Sequence, residues 1–168
     1  MPVEVYRKEN VGFAMKNNAI EKYRRMQEKF NLPQLSKLKE TFKFDTENFE
    51  NIDQIRVEMS DQLFTFTEKV IEHIIVGNDS FCCLFEQDMI TKDERQKLFD
   101  LYKKVQVLKW ENNLITIKPN EKKTGEWIRK TWDLWNSDLE SELTKICKKM
   151  SENWSDLHFK TEKTHYHG

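Results

Sequence analysis

The stretch from Thr124 to Trp154 constrains the fold of this chain more than any other part of it. It contains no proline, and its single glycine, Gly125, lies at its start. Apolar side chains recur through it with the period of an α-helix, and at about 100° per residue they fall within an arc of ~80°. These residues are Ile128, Trp132, Trp135, Leu139, Leu143, Ile146 and Met150. Such a helix would be roughly 45 Å long, and other helices must cover its apolar face.

The composition also favours an all-α fold. Four glycines and three prolines in 168 residues are few for a protein with many turns. Eleven phenylalanines and five tryptophans supply large apolar side chains, so we expect an ordered core despite a mean hydropathy of −0.82. The length suits one domain. We therefore predict a single compact bundle of five or six helices with a long C-terminal helix.

The charges and cysteines indicate the cellular setting. The chain has 28 basic and 29 acidic residues, whereas a dedicated nucleic-acid binder usually carries a basic excess. No apolar run approaches the ~20 residues of a membrane span, and the N-terminus lacks the apolar core of a signal peptide. Three cysteines without framework spacing favour free thiols. We expect a cytoplasmic protein with no disulfides and no membrane partner.

The chain is expected to form one helical domain over residues 1–168. It would comprise an N-terminal arm at 1–10, a helical bundle at 11–157 and a polar, histidine-containing tail at 158–168. The first helix should end near Asn31 and Pro33, and an acidic connector over 45–51 should follow the second helix. The apolar faces of these two helices are Met15, Ala19, Tyr23, Met26 and Phe30, and then Leu35, Leu38 and Phe42.

A third helix carries two apolar stripes and should stop at Gly77. The first stripe consists of Ile52, Ile55, Met59, Leu63, Phe66, Val70 and Ile74. The second lies about 100° away on the helical wheel and is a candidate partner interface: Val57, Phe64, Ile71 and Ile75. Cover from within the chain is favoured over a two-fold contact with a second copy, because a small bundle needs a central helix, but both explanations stay open.

Two further helices are expected before the long C-terminal one. Ser80 can cap a short helix, and Thr91 with Glu94 matches a capping box that opens the next. The apolar positions of that helix are Leu98, Leu101, Tyr102, Val105 and Leu108. Asn112 and Asn113 are a turn signal, so we expect the helix to end there. The residues Leu114, Ile115, Thr116 and Ile117 would then be a connector that plugs the bundle.

Motifs for catalysis and for metal binding are missing. The chain has no Gly-rich phosphate loop, no His-Glu-x-x-His and no Gly-x-Ser-x-Gly. The residues Cys82, Cys83, Cys147 and His73 lack the paired Cys-x-x-Cys spacing of zinc sites, and a lone Glu162-x-x-His165 pair lies in the polar tail. We therefore predict no catalytic residues, no metal and no cofactor. An enzyme with a site in the bundle core stays open, although no residues suggest one.

A basic cluster at the start of the long helix is a candidate anion-binding site. It consists of Lys118, Lys122, Lys123, Arg129 and Lys130, opposed locally by two glutamates. The free N–H groups of the helix N-terminus would add a partial positive charge. A phosphate, an acidic peptide or a nucleic-acid backbone would fit such a site, although a solvated basic loop is the favoured explanation. An acidic zone with Arg56 as its one cation comprises Asp45, Glu47, Glu50, Asp53, Glu58 and Asp61.

These features favour a non-enzymatic protein–protein interaction or scaffold module of the cytoplasm. The partner would be another protein or a second copy of the chain. The alternative is a helical nucleic-acid or phospholigand binder that uses the cluster from Lys118 to Lys130. Surplus apolar surface on the third helix supports the first hypothesis, and the local basic charge supports the second.

Overall fold

A computed structural model describes residues 20–44, 51–77 and 80–156. Helix α1 covers residues 20–30 of this part. The others are α2 (Leu35–Phe42), α3 (Ile52–Thr67), α4 (Phe81–Asp88), α5 (Lys92–Ile117) and α6 (Glu121–Leu134). Helix α3 continues through a π turn (Glu68–Glu72) into His73–Ile75, and α6 through a second π turn (Trp135–Leu139) into Glu140–Ser155. We use the labels α3 and α6 for the whole continuous helices. The predicted all-α bundle with a long C-terminal helix is confirmed.

Several expectations fall on residues that lie outside the described ranges. These are the arm at 1–10, the first turns of the first helix with Met15 and Ala19, most of the acidic connector, and the tail at 158–168. The division of the chain into arm, bundle and tail therefore stays a prediction.

Two of the predicted helix boundaries are confirmed. The Thr91 Oγ1 accepts a hydrogen bond from the Glu94 amide at 3.2 Å, and the Thr91 amide donates to Glu94 Oε2 at 2.9 Å, as in a capping box. Helix α3 stops at Gly77, whose φ of 65° disfavours other residues. A Cβ at Gly77 would also overlap the side-chain amide of Gln87.

The predicted end of α5 near Asn112–Asn113 is wrong, because the helix continues to Ile117. Asn112 lies within the helix and accepts a hydrogen bond from the Arg56 guanidinium, which satisfies its side chain there. Pro119 sets the actual end, because a residue before proline is driven out of the α region, and Lys118 has φ −131° and ψ 84°.

Helices α3, α5 and α6 form the centre of the bundle. Helix α5 runs antiparallel to α3, since Arg56 pairs with Thr116 at one end and Glu68 with Lys109 further along. It also runs antiparallel to α6, because Trp127 reaches Leu108 whereas Lys149 reaches Glu94. It follows that α3 and α6 run parallel. Their N-terminal turns are joined by a hydrogen bond from Thr124 Oγ1 to Asp53 Oδ1 at 3.0 Å.

The apolar face predicted for the long helix does enter the core. Four of its residues are buried, namely Ile128, Leu139, Leu143 and Ile146. Three others pack against the core while half-buried, namely Trp132, Trp135 and Met150. Trp127, which lies off that face, is buried as well.

The first stripe of α3 is divided by the π turn. Ile55, Met59, Leu63 and Ile74 are buried, but Phe66 is exposed and Ile71 is buried. A π turn closes over five residues rather than four, so it changes which later positions face inward. Leu63 and Thr67 carry the buried face up to the turn, Ile71 continues it within the turn, and Ile74 continues it beyond.

The smaller helices cover the two ends of this centre. At the start of α6, α1 packs so closely that a Cβ on Gly125 would lie 2.8 Å from Cγ of Phe30. Helix α2 packs against α3, and the ring of its Phe42 lies 5.5 Å from that of Trp135 in α6. At the opposite end α4 contacts the last turns of α6, where the ring of Phe85 lies 4.9 Å from that of Trp154.

Candidate interaction surface

One face of α5 carries a row of large apolar side chains that point into solvent. At about 100° per residue its members fall within an arc of ~80°, and the row is about 27 Å long at about 1.5 Å per residue. We call this row the outward stripe. Its residues and their exposed fractions are Phe99 (42%), Val107 (60%), Trp110 (68%), Leu114 (64%) and Ile117 (80%). Single exposed apolar residues are common, but several that are aligned along one helix face over this length are typical of a contact surface.

The outward stripe faces away from the core because the opposite face of α5 is fully engaged. Leu98, Leu101, Val105, Leu108 and Ile115 of that face are all buried. The side chains of α5 are therefore divided between two apolar faces, of which one builds the bundle and the other is open to solvent.

Ion pairs at the surface connect α5 to both neighbouring helices. On one side, Lys109 Nζ lies 2.8 Å from Glu68 Oε1 of α3. The hydrogen bond with Glu68 raises the pKa of Lys109, so the lysine remains charged. On the other side, Lys104 Nζ lies 3.1 Å from Asp138 Oδ2 of α6.

A third interhelical pair, between Glu111 of α5 and Lys130 of α6 at 2.7 Å, lies further along the same side as Lys104. The outward stripe thus lies on a helix whose buried face, rather than these exposed ion pairs, holds it in the bundle. Within the stripe, Lys103 is the one cation that interrupts the apolar row. Its ammonium lies 5.2 Å from the centre of the Phe99 ring and pairs with Asp100 at 2.7 Å.

The sequence reading missed the outward stripe because it ended α5 too early. The sequence predicts that residues 114–117 form a connector that packs into the core. In the structure Leu114 and Ile117 are exposed, and Ile115 is the buried residue of this segment. If the helix is continued to Pro119, the wheel places Val107, Trp110, Leu114 and Ile117 together. That continuation is the signal that could have found the surface.

The structure does not bring the predicted basic cluster into one patch. Lys122 and Arg129 are exposed on a face of α6 that they share with Glu126 and Asp133. Lys122 Nζ approaches Glu126 Oε1 to 3.9 Å. Because cations and anions alternate on this face, its electrostatic potential is less positive than that of a patch with cations alone.

The remaining cluster residues lie elsewhere. Lys123 and Lys130 are exposed on the side of α6 toward α5, where Lys130 pairs with Glu111. Lys118 is exposed at the end of α5, next to Ile117 of the outward stripe. The α6 N-terminus is partly occupied, since the Lys123 amide donates to Asn120 Oδ1 at 3.0 Å. Nothing tests whether these residues bind an anion, so that role stays a prediction.

The second stripe of α3 is not one exposed surface either. Ile71 is fully buried, and Phe64 is half-buried with its ring 6.4 Å from that of Trp127. Ile75 is half-buried, whereas Val57 is exposed. Cover from within the chain therefore accounts for Phe64 and Ile71, and Val57 is the one member of the stripe that is open to a partner.

A shallow groove between α3 and the end of α6 is a further apolar surface, with a volume of about 470 Å³. Phe66 of α3 and Trp135, Leu143 and Cys147 of α6 contribute apolar walls. It contains no cluster of titratable side chains, and Glu140 and Lys148 are the charged residues that line it.

A cysteine, a histidine and a glutamate meet where α3 ends and α4 begins. His73 Nε2 lies 2.8 Å from Glu86 Oε2, and Cys83 Sγ lies 3.5 Å from His73 Nδ1. Cys83 has no exposed surface, so no substrate reaches its sulfur. Trp154 Nε1 donates to the same Glu86 carboxylate at 2.9 Å, which ties α6 to this end of the bundle. The arrangement is that of a structural junction.

Cys82 and Cys147, the other two cysteines weighed for a metal site, are exposed and free. Across the described ranges, no three His, Cys, Asp or Glu side chains are grouped so that they could hold a metal ion. The histidines of the tail lie outside those ranges.

Comparisons with known proteins add no functional assignment. No family model matches the chain, and neither a curated protein nor a solved structure is significantly similar to it. In the part of the chain that the structure describes, none of the helices has the length and apolar character needed to cross a membrane.

Proposed function

We propose that this chain is a non-enzymatic protein–protein interaction or scaffold module of the cytoplasm, and that the outward stripe of α5 is its contact surface. The observation that carries the proposal is the exposure of five large apolar side chains on one face of a single helix. Exposed apolar area favours association by roughly 25 cal/mol for each Å² that a partner buries. Trp110, at the middle of the exposed end, is of the residue type most enriched in binding hot spots.

The rigid support of α5 strengthens this proposal. The buried apolar face of α5 and the hydrogen bond from Trp127 to the Leu108 carbonyl hold the stripe in place before any partner arrives. Binding to a preorganised helix face loses less conformational entropy than binding that must first order a segment. A scaffold that presents one helix face would have this construction.

The alternative, a nucleic-acid or phospholigand binder that uses Lys118 to Lys130, has weaker support. Its cations are divided between two faces of α6 and the end of α5, and Lys122 and Lys130 already have acidic neighbours. Phosphate backbones are bound by cations that converge on one track.

Affinity capture from a native lysate, with nuclease treatment, would test the proposal. The variants are Trp110→Glu and Leu114→Glu, and the control is Val76→Glu, which changes an equally exposed apolar residue at the end of α3. All three should keep the wild-type circular dichroism spectrum. A partner identified by mass spectrometry should then bind purified wild type and control, but not the two stripe variants. Equal binding to all four proteins would refute the stripe as the contact surface.

A further inference from the structure

We propose that the outward stripe is covered by a second copy of this chain, with the two α5 helices packed antiparallel across a two-fold axis. This inference rests on the proposed function, since it names the partner of the same surface. Four independent residue pairings on α5 support it, two apolar and two charged.

The apolar residues of the stripe are self-complementary when the helix is reversed. In an antiparallel pair centred near position 108, Phe99 of one copy lies beside Ile117 of the other, because both are nine residues from that centre. Val107 of one copy lies at the same level as Trp110 of the other, about the same point. The large indoles and the small β-branched residues therefore both lie near the middle of the contact.

The charges along one edge of the stripe reverse onto one another as well. Asp100, Lys104, Glu111 and Lys118 lie on this edge and alternate in sign. An antiparallel two-fold contact brings an edge against its own copy in the opposite direction. Asp100 then faces Lys118 of the second copy. Lys104 and Glu111 already pair with Asp138 and Lys130 of α6, and across the contact each would lie near the other residue of the second copy and extend these pairs into a network.

These charged pairs are centred at the same place as the apolar ones. The midpoint of Asp100 and Lys118 is position 109, and that of Lys104 and Glu111 falls between 107 and 108. All four midpoints thus lie within two residues of one another, which defines one register. A parallel contact would set this edge against the opposite edge of α5. That edge carries Arg95, Gln106, Lys109 and Asn113 but no acidic residue, so Lys104 and Lys118 would find no complementary charge there.

The size of the stripe sets the expected strength of the dimer. A single pair of helices with a contact about 27 Å long lies at the lower end of stable interfaces, which bury about 800 Å² on each partner. We therefore expect a dissociation constant on the order of micromolar.

Sedimentation velocity of the full chain over a range of concentrations would test this directly. The wild type should pass from monomer to dimer as its concentration rises, and Trp110→Glu should remain a folded monomer. Val76→Glu is the matched control and should dimerise like the wild type.

Charge reversal would test the antiparallel direction. Lys118→Glu and Asp100→Lys should each weaken the dimer, by about tenfold if the pair is desolvated. The double variant should recover the wild-type affinity, because the two charges are exchanged. Failure of the double variant to recover would refute the proposed register.

Disulfide trapping adds a geometric test. In a Cys82→Ser, Cys147→Ser background, a mixture of Phe99→Cys and Ile117→Cys proteins should form the mixed disulfide. Phe99→Cys alone should not cross-link, because the two copies of residue 99 would lie about 27 Å apart. Self-cross-linking of Phe99→Cys would indicate a parallel pair and overturn the antiparallel proposal.

The failure of this inference is distinguishable from the failure of the proposed function. A wild type that stays monomeric at every concentration excludes the second copy. In that case the proposed function would still be supported by a purified partner protein that binds the wild type but not the Trp110→Glu variant. Binding of the monomer to vesicles with anionic lipid, lost in Trp110→Glu, would assign the stripe to a membrane surface and overturn both proposals.

Discussion

Trp127 donates its indole N–H to the main-chain carbonyl of Leu108 at 2.8 Å, and both residues are almost completely buried. The bond links α6 to the middle of α5, directly beneath the outward stripe. The tryptophan ring also meets Phe64 of α3 edge-on, so one side chain contacts both other central helices. The orientation of the proposed contact surface therefore depends on a residue that lies wholly inside the protein.

Trp127→Phe should lower the free energy of unfolding by about 1–3 kcal/mol, because the buried carbonyl loses a donor and the core loses volume. Trp127→Ala should cost about 3–5 kcal/mol. Urea unfolding followed by circular dichroism measures both. Trp110→Phe is the control and should change the stability little, since Trp110 is exposed. Similar losses for Trp127→Phe and Trp110→Phe would contradict the assigned burial.

Leu139 and Glu140 are neighbours in sequence with opposite environments, since Leu139 is fully buried and Glu140 is exposed. We expect Leu139→Ala to destabilise the protein by about 2–5 kcal/mol, which is a large part of a typical total of about 5–15 kcal/mol. Glu140→Ala should change Tm little. Thermal melts of the two variants compare them, and equal effects would mean that the buried face of α6 is misassigned.

Ile71 and Val57 belong to the same predicted stripe of α3 but differ in burial. Ile71→Asp should abolish cooperative unfolding, because an unpaired carboxylate would be forced into the core. Val57→Asp should leave a folded protein, since Val57 is exposed. Thermal unfolding monitored by circular dichroism separates the two cases. A cooperatively folded Ile71→Asp protein would show that the stripe is not covered from within the chain.

The Glu94 carboxylate in the capping box of α5 should make the free energy of unfolding fall at acid pH. The hydrogen bond with Lys149, followed by the one with the Thr91 amide, lowers the pKa of Glu94 from 4.5 to about 2. Because the folded state lowers this pKa, the stabilisation is complete above pH 4.5 and is lost as the pH falls toward 2.

Glu94→Gln should accordingly lower Tm at neutral pH and flatten the loss of stability between pH 4.5 and 2. Glutamine keeps the capping geometry but not the charge. Melting curves collected at a series of pH values would show the difference. Glu152→Gln, at an exposed position near the end of α6, is the control and should follow the wild-type pH profile.

The divided basic cluster predicts weak binding to polyanions. We expect the wild type to leave a heparin column at or below physiological salt, and Lys122→Glu with Lys123→Glu to change its elution little. Strong retention that this double variant abolishes, with a steep dependence on salt, would instead favour the nucleic-acid or phospholigand binder.

The parts of the fold that could be predicted from the sequence are those set by residues close together in the chain, through helical periodicity and helix capping. The buried face of α6 follows from the spacing of Ile128, Leu139 and Leu143, and the start of α5 from Thr91 and Glu94. Gly77 marks the end of α3, because its backbone conformation suits glycine. Each of these signals is contained in one short stretch of chain.

The remaining features depend on tertiary contacts that a helical wheel does not contain. Asn112 is a turn signal in isolation, but the buried Arg56 satisfies it inside a helix. Trp127 lies off the apolar face, yet Leu108 supplies the acceptor that allows the indole to be buried. Ile71 is buried within the π turn of α3, and nothing in the local sequence distinguishes this turn from an α-helical one.

The candidate contact surface was missed for a related reason. The apolar face predicted for this helix does not include Phe99, Val107 or Trp110, and the predicted end of α5 places Leu114 and Ile117 in a separate connector. Without the full length of the helix, no continuous face could be drawn.

The π turns of α3 and α6 lie at nearly the same level of the bundle, because Glu68 of one and Asp138 of the other both pair with α5, at Lys109 and Lys104. The main-chain hydrogen bonds are locally irregular in such turns. We therefore expect each long helix to open more easily at this level than elsewhere. Local opening would then divide the molecule across its helices, with α5 as the element that bridges the division. We expect amide hydrogen exchange to report two units of different protection on either side of these turns. A partner bound to α5 should slow exchange in both units together.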